Sequence, residues 1–322
     1  MKEIVHWIFK KPDGGVIPSF DRFALVFTKI FYLIVRVLFR VIFGKNKRNH
    51  SSFFQKLYVG ASFSPSFLLT MYFYKIKKSL GLGGDKQLIQ IKVPKYNYKV
   101  YCPPTKDDFI NMTIREEDIL EHFNPKKGET VVDVGAHIGR YTIISSNHVG
   151  NEGKVIAIEA NPLVFEMLNK NVKLNQMTNV ICINCAVFSE QTKINLFLPG
   201  ETDGNNRDTI YNTIMKERAR NEQKYVVVKA NTLDNILREQ GVGENSVNWI
   251  KIDVEGAELD VLKGAQNILS KSQRISLLVE IHNLGNGKNF YKPITDLLGA
   301  YNFKIEFEKT YESGERHVVF CK

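Results

Sequence analysis

Two carboxylates end an apolar run in the segment IKIDVEGAELDVLKGA, residues 250–265. Asp253 and Glu255 precede a turn at Gly256, and an amphipathic helical pattern starts just beyond it. Asp and Glu are poor strand-interior residues, so a strand that stops on them aims them at a site or at the following helix. In an open α/β sheet, ligands bind at the carboxyl ends of the strands. A carboxylate placed there can take a proton from a hydroxyl, hold a cation, or simply complement a helix dipole.

A second turn has the same setting and a different chemistry. VVDVGAHIGRYT, residues 131–142, carries Gly135 and Gly139, which let backbone approach a ligand at a helix N-terminus. Its GxxxG spacing is not the dinucleotide GxGxxG, which disfavours an NAD enzyme. Asp133, two residues ahead of the first glycine, would repel a pyrophosphate and suits a cationic or hydroxyl-bearing ligand. The next apolar run, KVIAIEANP, closes on Glu159. An acid at the end of the second strand of such a sheet can accept both hydroxyls of a ribose.

DVGAHIGRYT, AIEANP, the NCAV of residues 184–187, TLDNIL at 232–237 and IKIDVEGAELDVLKGA together resemble the FkbM family of class I S-adenosylmethionine-dependent methyltransferases. The resemblance covers residues 116–280, about half the chain, and does not extend to residues 1–84. It implies an α/β fold with a Rossmann-like sheet of about seven strands. It also implies S-adenosylmethionine as cofactor and a hydroxyl as acceptor. Carried over by position, Asp133, Gly135, His137 and Gly139 line the cofactor and Glu159 holds its ribose. Asn184 and Ala186 flank the adenine, and Asp253 lies beside the methionine end and the methyl group. His137 departs from the wider superfamily, where glycine is common at that position.

An alcohol is a weak acid, so methyl transfer to it gains from a nearby base. Asp253 and His282, the latter in LLVEIHNL, both fall at carboxyl ends of strands expected to be adjacent, and are the candidate bases. Glu255 and Glu258 read as supports for the turn and helix. Asp253, Glu280, His282 and Asn283 offer an alternative, a divalent metal site in a metal-dependent small-molecule O-methyltransferase. Their spacing matches no recognised ligand signature, so no metal is assigned. A further alternative is a non-catalytic membrane-surface module that retains the fold.

These residues need a sheet to position them. Strands are expected at 130–134, 154–159, 180–187, 247–253 and 275–281, several of them near-continuous apolar runs as in a parallel sheet covered on both faces. Helices are expected at 138–148, 162–175, 232–239 and 258–269. A lead-in hairpin at 89–93 and 96–102 precedes them. Thr113 to Glu116 fits a capping box for a helix running to about residue 124. Segments 303–308 and 318–321 suggest a closing antiparallel pair, and the polar stretch 198–224 a lid or recognition loop.

Charge divides the chain in two. Residues 1–84 hold 14 Lys and Arg against 3 Asp and Glu, whereas residues 85–322 hold 30 against 31. The break falls at the GLGGD cluster, giving a basic, aromatic-rich helical segment, 1–84, and a methyltransferase domain, 85–322. Residues 23–43 are long enough to span a bilayer, but Arg22, Lys29, Arg36 and Arg40 share one helical stripe. Burying them would cost roughly 2.5–3.5 kcal/mol each near the centre. Lying in the interface leaves them among headgroups, so the segment is read as a peripheral or monotopic anchor on an anionic membrane surface at the cytoplasmic face. The same apolar stretches could instead serve a homo-oligomer. Nucleic acid is excluded as a partner, because nothing resembles a recognition motif. Cys102, Cys182, Cys185 and Cys321 make no disulfide scaffold, which fits a reducing compartment. The expected substrate is a hydroxyl-bearing glycan, a lipid-linked sugar or a lipid headgroup.

Overall fold

The computed structural model describes residues 89–93, 96, 98–102, 111–112, 116–198, 225–283 and 289–322. The segment at 23–43, its basic flanks, Thr113 and nearly all of the loop at 198–224 lie outside them. Among the described residues, no helix is long and apolar enough to cross a membrane.

Strands β1 (Ile89–Val93) and β2 (Tyr98–Cys102) pair antiparallel as the lead-in hairpin. A single helical turn, α1 (Glu117–Leu120), follows. The helix anticipated to reach residue 124 stops there, and no side chain caps its start: Glu116 occupies that position with φ 60°. The alternation then begins with β3 (Thr130–Val134), α2 (Arg140–Val149), β4 (Lys154–Glu159), α3 (Pro162–Leu174) and β5 (Val180–Asn184). Asn161 caps α3 by accepting from the Leu163 amide, with Pro162 opening the helix.

The apolar run 180–187 does not form one strand. After Asn184 the chain leaves the main sheet, and β6 (Ala186–Val187) joins a small sheet in the order β6-β8-β7 with β7 (Thr192–Phe197) and β8 (Tyr225–Asn231). Helix α4 (Leu233–Glu239), β9 (Trp249–Ile252), α5 (Glu258–Lys263), α6 (Gln266–Lys271) and β10 (Ser276–Ile281) complete the alternation. The single helix expected over 258–269 breaks at Gly264, where a β-carbon would lie 2.1 Å from the Phe188 carbonyl oxygen. Asp234 recaps the chain there, accepting from the backbone amides of Asn267 and Ile268 at 2.9 and 3.1 Å. Helix α7 (Tyr291–Ala300) then leads to β11 (Lys304–Thr310) and β12 (Arg316–Cys321), which pair antiparallel.

The main sheet has seven strands in the order β11-β12-β10-β9-β3-β4-β5. Strands β10, β9, β3, β4 and β5 run parallel, and β12 is antiparallel to both of its neighbours. This is a Rossmann-like α/β fold. Side chains alternate between the two sheet faces. On one face Val132, Val134, Ile250, Ile252, Leu277 and Val279 pack into a core with Val261, Leu262, Ile294 and Leu298. The chain reverses its direction of build between β3 and β9, the topological switch point beside which ligands bind in such sheets.

Candidate active site

The ladder register places Lys251 directly opposite Asp133 across β9 and β3. Both are buried, in positions where a strand between two helical layers ordinarily carries an apolar side chain. Lys251 Nζ lies 3.8 Å from Asp133 Oδ1 and 3.1 Å from Asp253 Oδ2, and donates to the Gly135 carbonyl at 3.2 Å. Its ammonium stands over the Tyr141 ring, 5.2 Å from the centroid. Asp133 Oδ2 accepts a 2.6 Å hydrogen bond from Thr142, while the buried Oδ1 makes no hydrogen bond. Burial raises the Asp133 carboxyl, and Lys251 and Thr142 only partly offset it. For Lys251 burial acts to lower the pKa, but Asp253 and Asp133 outweigh it and keep the amine cationic.

The turn after β3 is built on close backbone approach. A β-carbon on Gly135, at φ 76°, would lie 1.8 Å from the Asp253 carbonyl oxygen. The next residues bend sharply, with His137 in the left-handed region at φ 52°. That bend turns the His137 amide toward Glu159 Oε2, at 2.9 Å. Glu159 Oε1 accepts from the Asn161 amide at 2.8 Å. Burial pushes the Glu159 carboxyl up to about 7 despite these two amides. Gly139 opens α2 at φ 102°, against Leu168.

Asp133, Gly135, His137, Gly139 and Glu159 therefore line the carboxyl edge of β3 and β4. Asn184 joins them at the end of β5, its amide donating to the carbonyls of Glu159 and Ala160 at 2.8 and 3.1 Å. Ala186 stands apart: its side chain packs with Leu196, Val228 and Ala230 in the small sheet.

A second polar group gathers at the ends of β9 and β10. His282 is 3% exposed, its Nδ1 2.8 Å from Oε1 of the fully buried Glu258. The same oxygen accepts from the Gly256 amide, so Glu258 supports the turn and orients the imidazole at once. Nε2 of His282 faces Glu255 Oε2 at 3.5 Å, Glu280 Oε1 at 3.7 Å and Asp253 Oδ1 at 3.8 Å. Burial alone would lower the imidazole pKa, but Glu255 and Glu258, then Glu280, raise it well above the usual range. The two candidate bases, Asp253 and His282, thus stand side by side, with Nε2 of His282 3.8 Å from Asp253 Oδ1. Asp253 is the most accessible of the three carboxylates that Nε2 faces, its side chain 27% exposed against 14% for Glu255 and 7% for Glu280.

Glu280 also pairs with His317 Nε2 at 3.2 Å across the β10–β12 ladder, and Glu116 lies 3.7 Å from the same nitrogen. Burial would lower His317, yet Glu280 and Glu116 bring it up to about 10. The Tyr141 hydroxyl donates to Glu116 at 2.9 Å. Asn283, by contrast, turns away and donates to the Ser313 carbonyl at 2.7 Å. Sequence reasoning assigned no site role to Lys251, Tyr141, His317 or Glu116. A lysine inside an apolar strand was the available signal for the first of these.

The fold and this edge define a Rossmann-like α/β domain with a polar, glycine-shaped ligand edge at the β3–β9 switch point. The chain belongs to the FkbM methyltransferase family: residues 133–305 match the model of the methyltransferase FkbM domain. It is 26% identical over 176 residues to methyltransferase sdnD of Sordaria araneosa, covering 48% of this chain and 68% of that protein. It is 26% identical over 196 residues to the hexuronic acid methyltransferase AglP of Haloferax volcanii, covering 60% and 72%. The crystal structure of methyltransferase FkbM from Methylobacillus flagellatus aligns with 66% of this chain and 52% of its own, at 14% identity and a TM-score of 0.41. The protein is thus an S-adenosylmethionine-dependent methyltransferase.

The residues present fit that cofactor. Each oxygen of Glu159 accepts one backbone amide and keeps a further lone pair for a ribose hydroxyl. The glycine at 135 lets the Asp253 backbone close against the turn that edges the site, and the buried Asp133 Oδ1, without a hydrogen bond, complements a cationic ligand.

Proposed function

We propose that the enzyme methylates a hydroxyl on a glycan, a lipid-linked sugar or a lipid headgroup at a membrane surface. The observation that carries this reading is the carboxylate-rich acceptor side, with Asp253, Glu255 and Glu280 around His282. Such an edge offers hydrogen-bond acceptors to a polyol. The hexuronic acid substrate printed in the name of the archaeal relative supports a sugar acceptor. The basic, apolar residues 1–84 support a lipid-bound one.

S-adenosylmethionine, when bound, supplies an electrophilic methyl group on a sulfonium. The chain's own part is positioning, which supplies much of the rate of an in-line displacement. Asp133 and Glu159 hold the cofactor side, and Lys251 keeps Asp253 oriented from below the turn. Asp253 takes the hydroxyl proton as the oxygen–carbon bond forms, and the electron pair of the broken carbon–sulfur bond stays on sulfur.

The test is incubation of the full chain with methyl-labelled cofactor and membrane lipid and glycan extracts, followed by mass spectrometry. A labelled glycan or glycolipid supports the reading. Cofactor binding without any labelled product supports the non-catalytic module instead.

A further inference from the structure

The cluster around His282 holds more ligating chemistry than methyl transfer to an alcohol requires. One atom from each of Asp253, Glu255 and His282 lies within 4.8 Å of the other two. His282 Nε2 stops 3.5 Å from Glu255 and 3.8 Å from Asp253. Charge-assisted hydrogen bonds close to about 2.7–2.9 Å, so the imidazole is aimed at both oxygens without closing on either. A divalent ion with donor distances of about 2.0–2.2 Å separates its neighbouring ligands by about 3.0–3.5 Å.

The other side of the ring gives independent support. Nδ1 is tied at 2.8 Å to the fully buried Glu258, itself held by the Gly256 amide. A carboxylate on one imidazole nitrogen, with the other directed at an ion, is the arrangement that fixes metal-ligating histidines. His282 is 3% exposed, so its Nε2 faces this donor set and not solvent.

We propose that Asp253, Glu255 and His282 form a divalent-cation site, and that the cation ligates the acceptor hydroxyl. The proposal rests on the methyltransferase reading of the same site. It differs from the set that sequence spacing suggested, because Asn283 points to Ser313 and Glu280 is engaged by His317. Two carboxylates and one imidazole suit Mn²⁺ better than Mg²⁺, which favours oxygen donors throughout. Lys251 binds Asp253 through Oδ2, and it is Oδ1 that faces His282. Three protein ligands leave positions open for a substrate oxygen, as catalytic sites do. A ligated hydroxyl is more acidic. Asp253 takes its proton, as in the proposed reaction, while the hydroxyl oxygen takes the methyl group and the carbon–sulfur electron pair remains on sulfur.

The experiment uses the full chain, stripped with EDTA and titrated with Mn²⁺ while the electron paramagnetic resonance signal of the free ion is followed. Calorimetry with S-adenosylmethionine is run on the same metal-free samples. We expect one equivalent of Mn²⁺ bound, with affinity at least about tenfold weaker in Glu255→Gln and His282→Gln. Cofactor affinity should be unchanged in both variants, which also shows that they have folded. Wild-type protein that binds no Mn²⁺ up to about 1 mM overturns the site, whatever the variants do. So does equal Mn²⁺ binding by wild type and Glu255→Gln. If the metal-free wild type still binds cofactor in that case, the cluster is an imidazolium held by carboxylates and the methyltransferase reading stands.

Discussion

Lys251 and Asp133 face each other across the β3–β9 ladder, two buried opposite charges at the point where the sheet divides. Asp253, two residues beyond Lys251 and just past the end of β9, completes the group at 3.1 Å. The ammonium thus joins the Asp133 edge of β3 to the Asp253 edge of β9, the proposed cofactor and acceptor sides. Its replacement should be costly, because removing one partner of a buried pair leaves the other charge uncompensated. Lys251→Met should lower unfolding free energy by about 3–5 kcal/mol in urea denaturation. Lys251→Met combined with Asp133→Asn should recover part of that loss. Additive losses in the double variant would contradict the pairing.

Gly135 should tolerate no side chain. Its φ of 76° disfavours other residues, and a β-carbon would meet the Asp253 carbonyl oxygen at 1.8 Å. Gly135→Ala must push β3 and β9 apart at the cofactor edge. The expected result is a destabilisation of more than about 1 kcal/mol by thermal unfolding. Cofactor binding should be lost below the unfolding temperature. Unchanged cofactor affinity would show that this approach does not shape the site.

Glu159 should give cofactor binding a pH dependence. Its carboxyl is raised from 4.5 to about 7 in the cofactor-free fold. Between those values the folded chain keeps a proton that the unfolded chain has released. The resulting stability is therefore present at low pH and is lost as pH rises toward 7. Ribose binding runs the opposite way, since it needs the ionised acceptor. The dissociation constant for S-adenosylmethionine should be about tenfold weaker at pH 6 than at pH 8. Glu159→Gln should weaken binding and flatten that profile. A wild-type profile with no slope across this range would remove Glu159 from the ribose site.

The basic N-terminal segment makes its own prediction. The full chain should float with liposomes rich in anionic lipid at low salt, and less well as salt rises. Replacing Arg22, Lys29, Arg36 and Arg40 together by Gln removes about 1 kcal/mol of attraction per charge and should abolish flotation. Equal recovery of the variant with neutral and anionic liposomes, matching wild type, would contradict a membrane-surface role.

Much of the sheet was legible because its strands are simple. Strands β3 and β4 coincide with their apolar runs and end on Val134 and Glu159, where the cofactor edge begins. The hairpin, the order of alternation and the closing antiparallel pair followed from the same periodicity. The features that escaped depend on contacts distant in sequence. The break falls at Gly264, where the Phe188 backbone leaves no room for a side chain, and residues 180–187 divide where Ala186 and Val187 pair with Ala230 and Asn231. Strands β7 and β8 were hidden by the long polar stretch between them. At the site, the acids at strand ends announced themselves as violations of strand propensity. Lys251 was just as anomalous, but its meaning appears only when the ladder sets it against Asp133. His282 was legible as a ligand-edge residue, whereas its raised pKa depends on three carboxylates, Glu255, Glu258 and Glu280, drawn from a turn, a helix and a strand.

Calorimetric titration of the full chain with S-adenosylmethionine tests the central claim most directly, run beside Glu159→Ala and Asp253→Ala. The account predicts one binding site per chain, affinity weakened by about tenfold or more in Glu159→Ala, and affinity within about threefold of wild type in Asp253→Ala. No binding heat from the wild type, or equal affinities for wild type and Glu159→Ala, would contradict it.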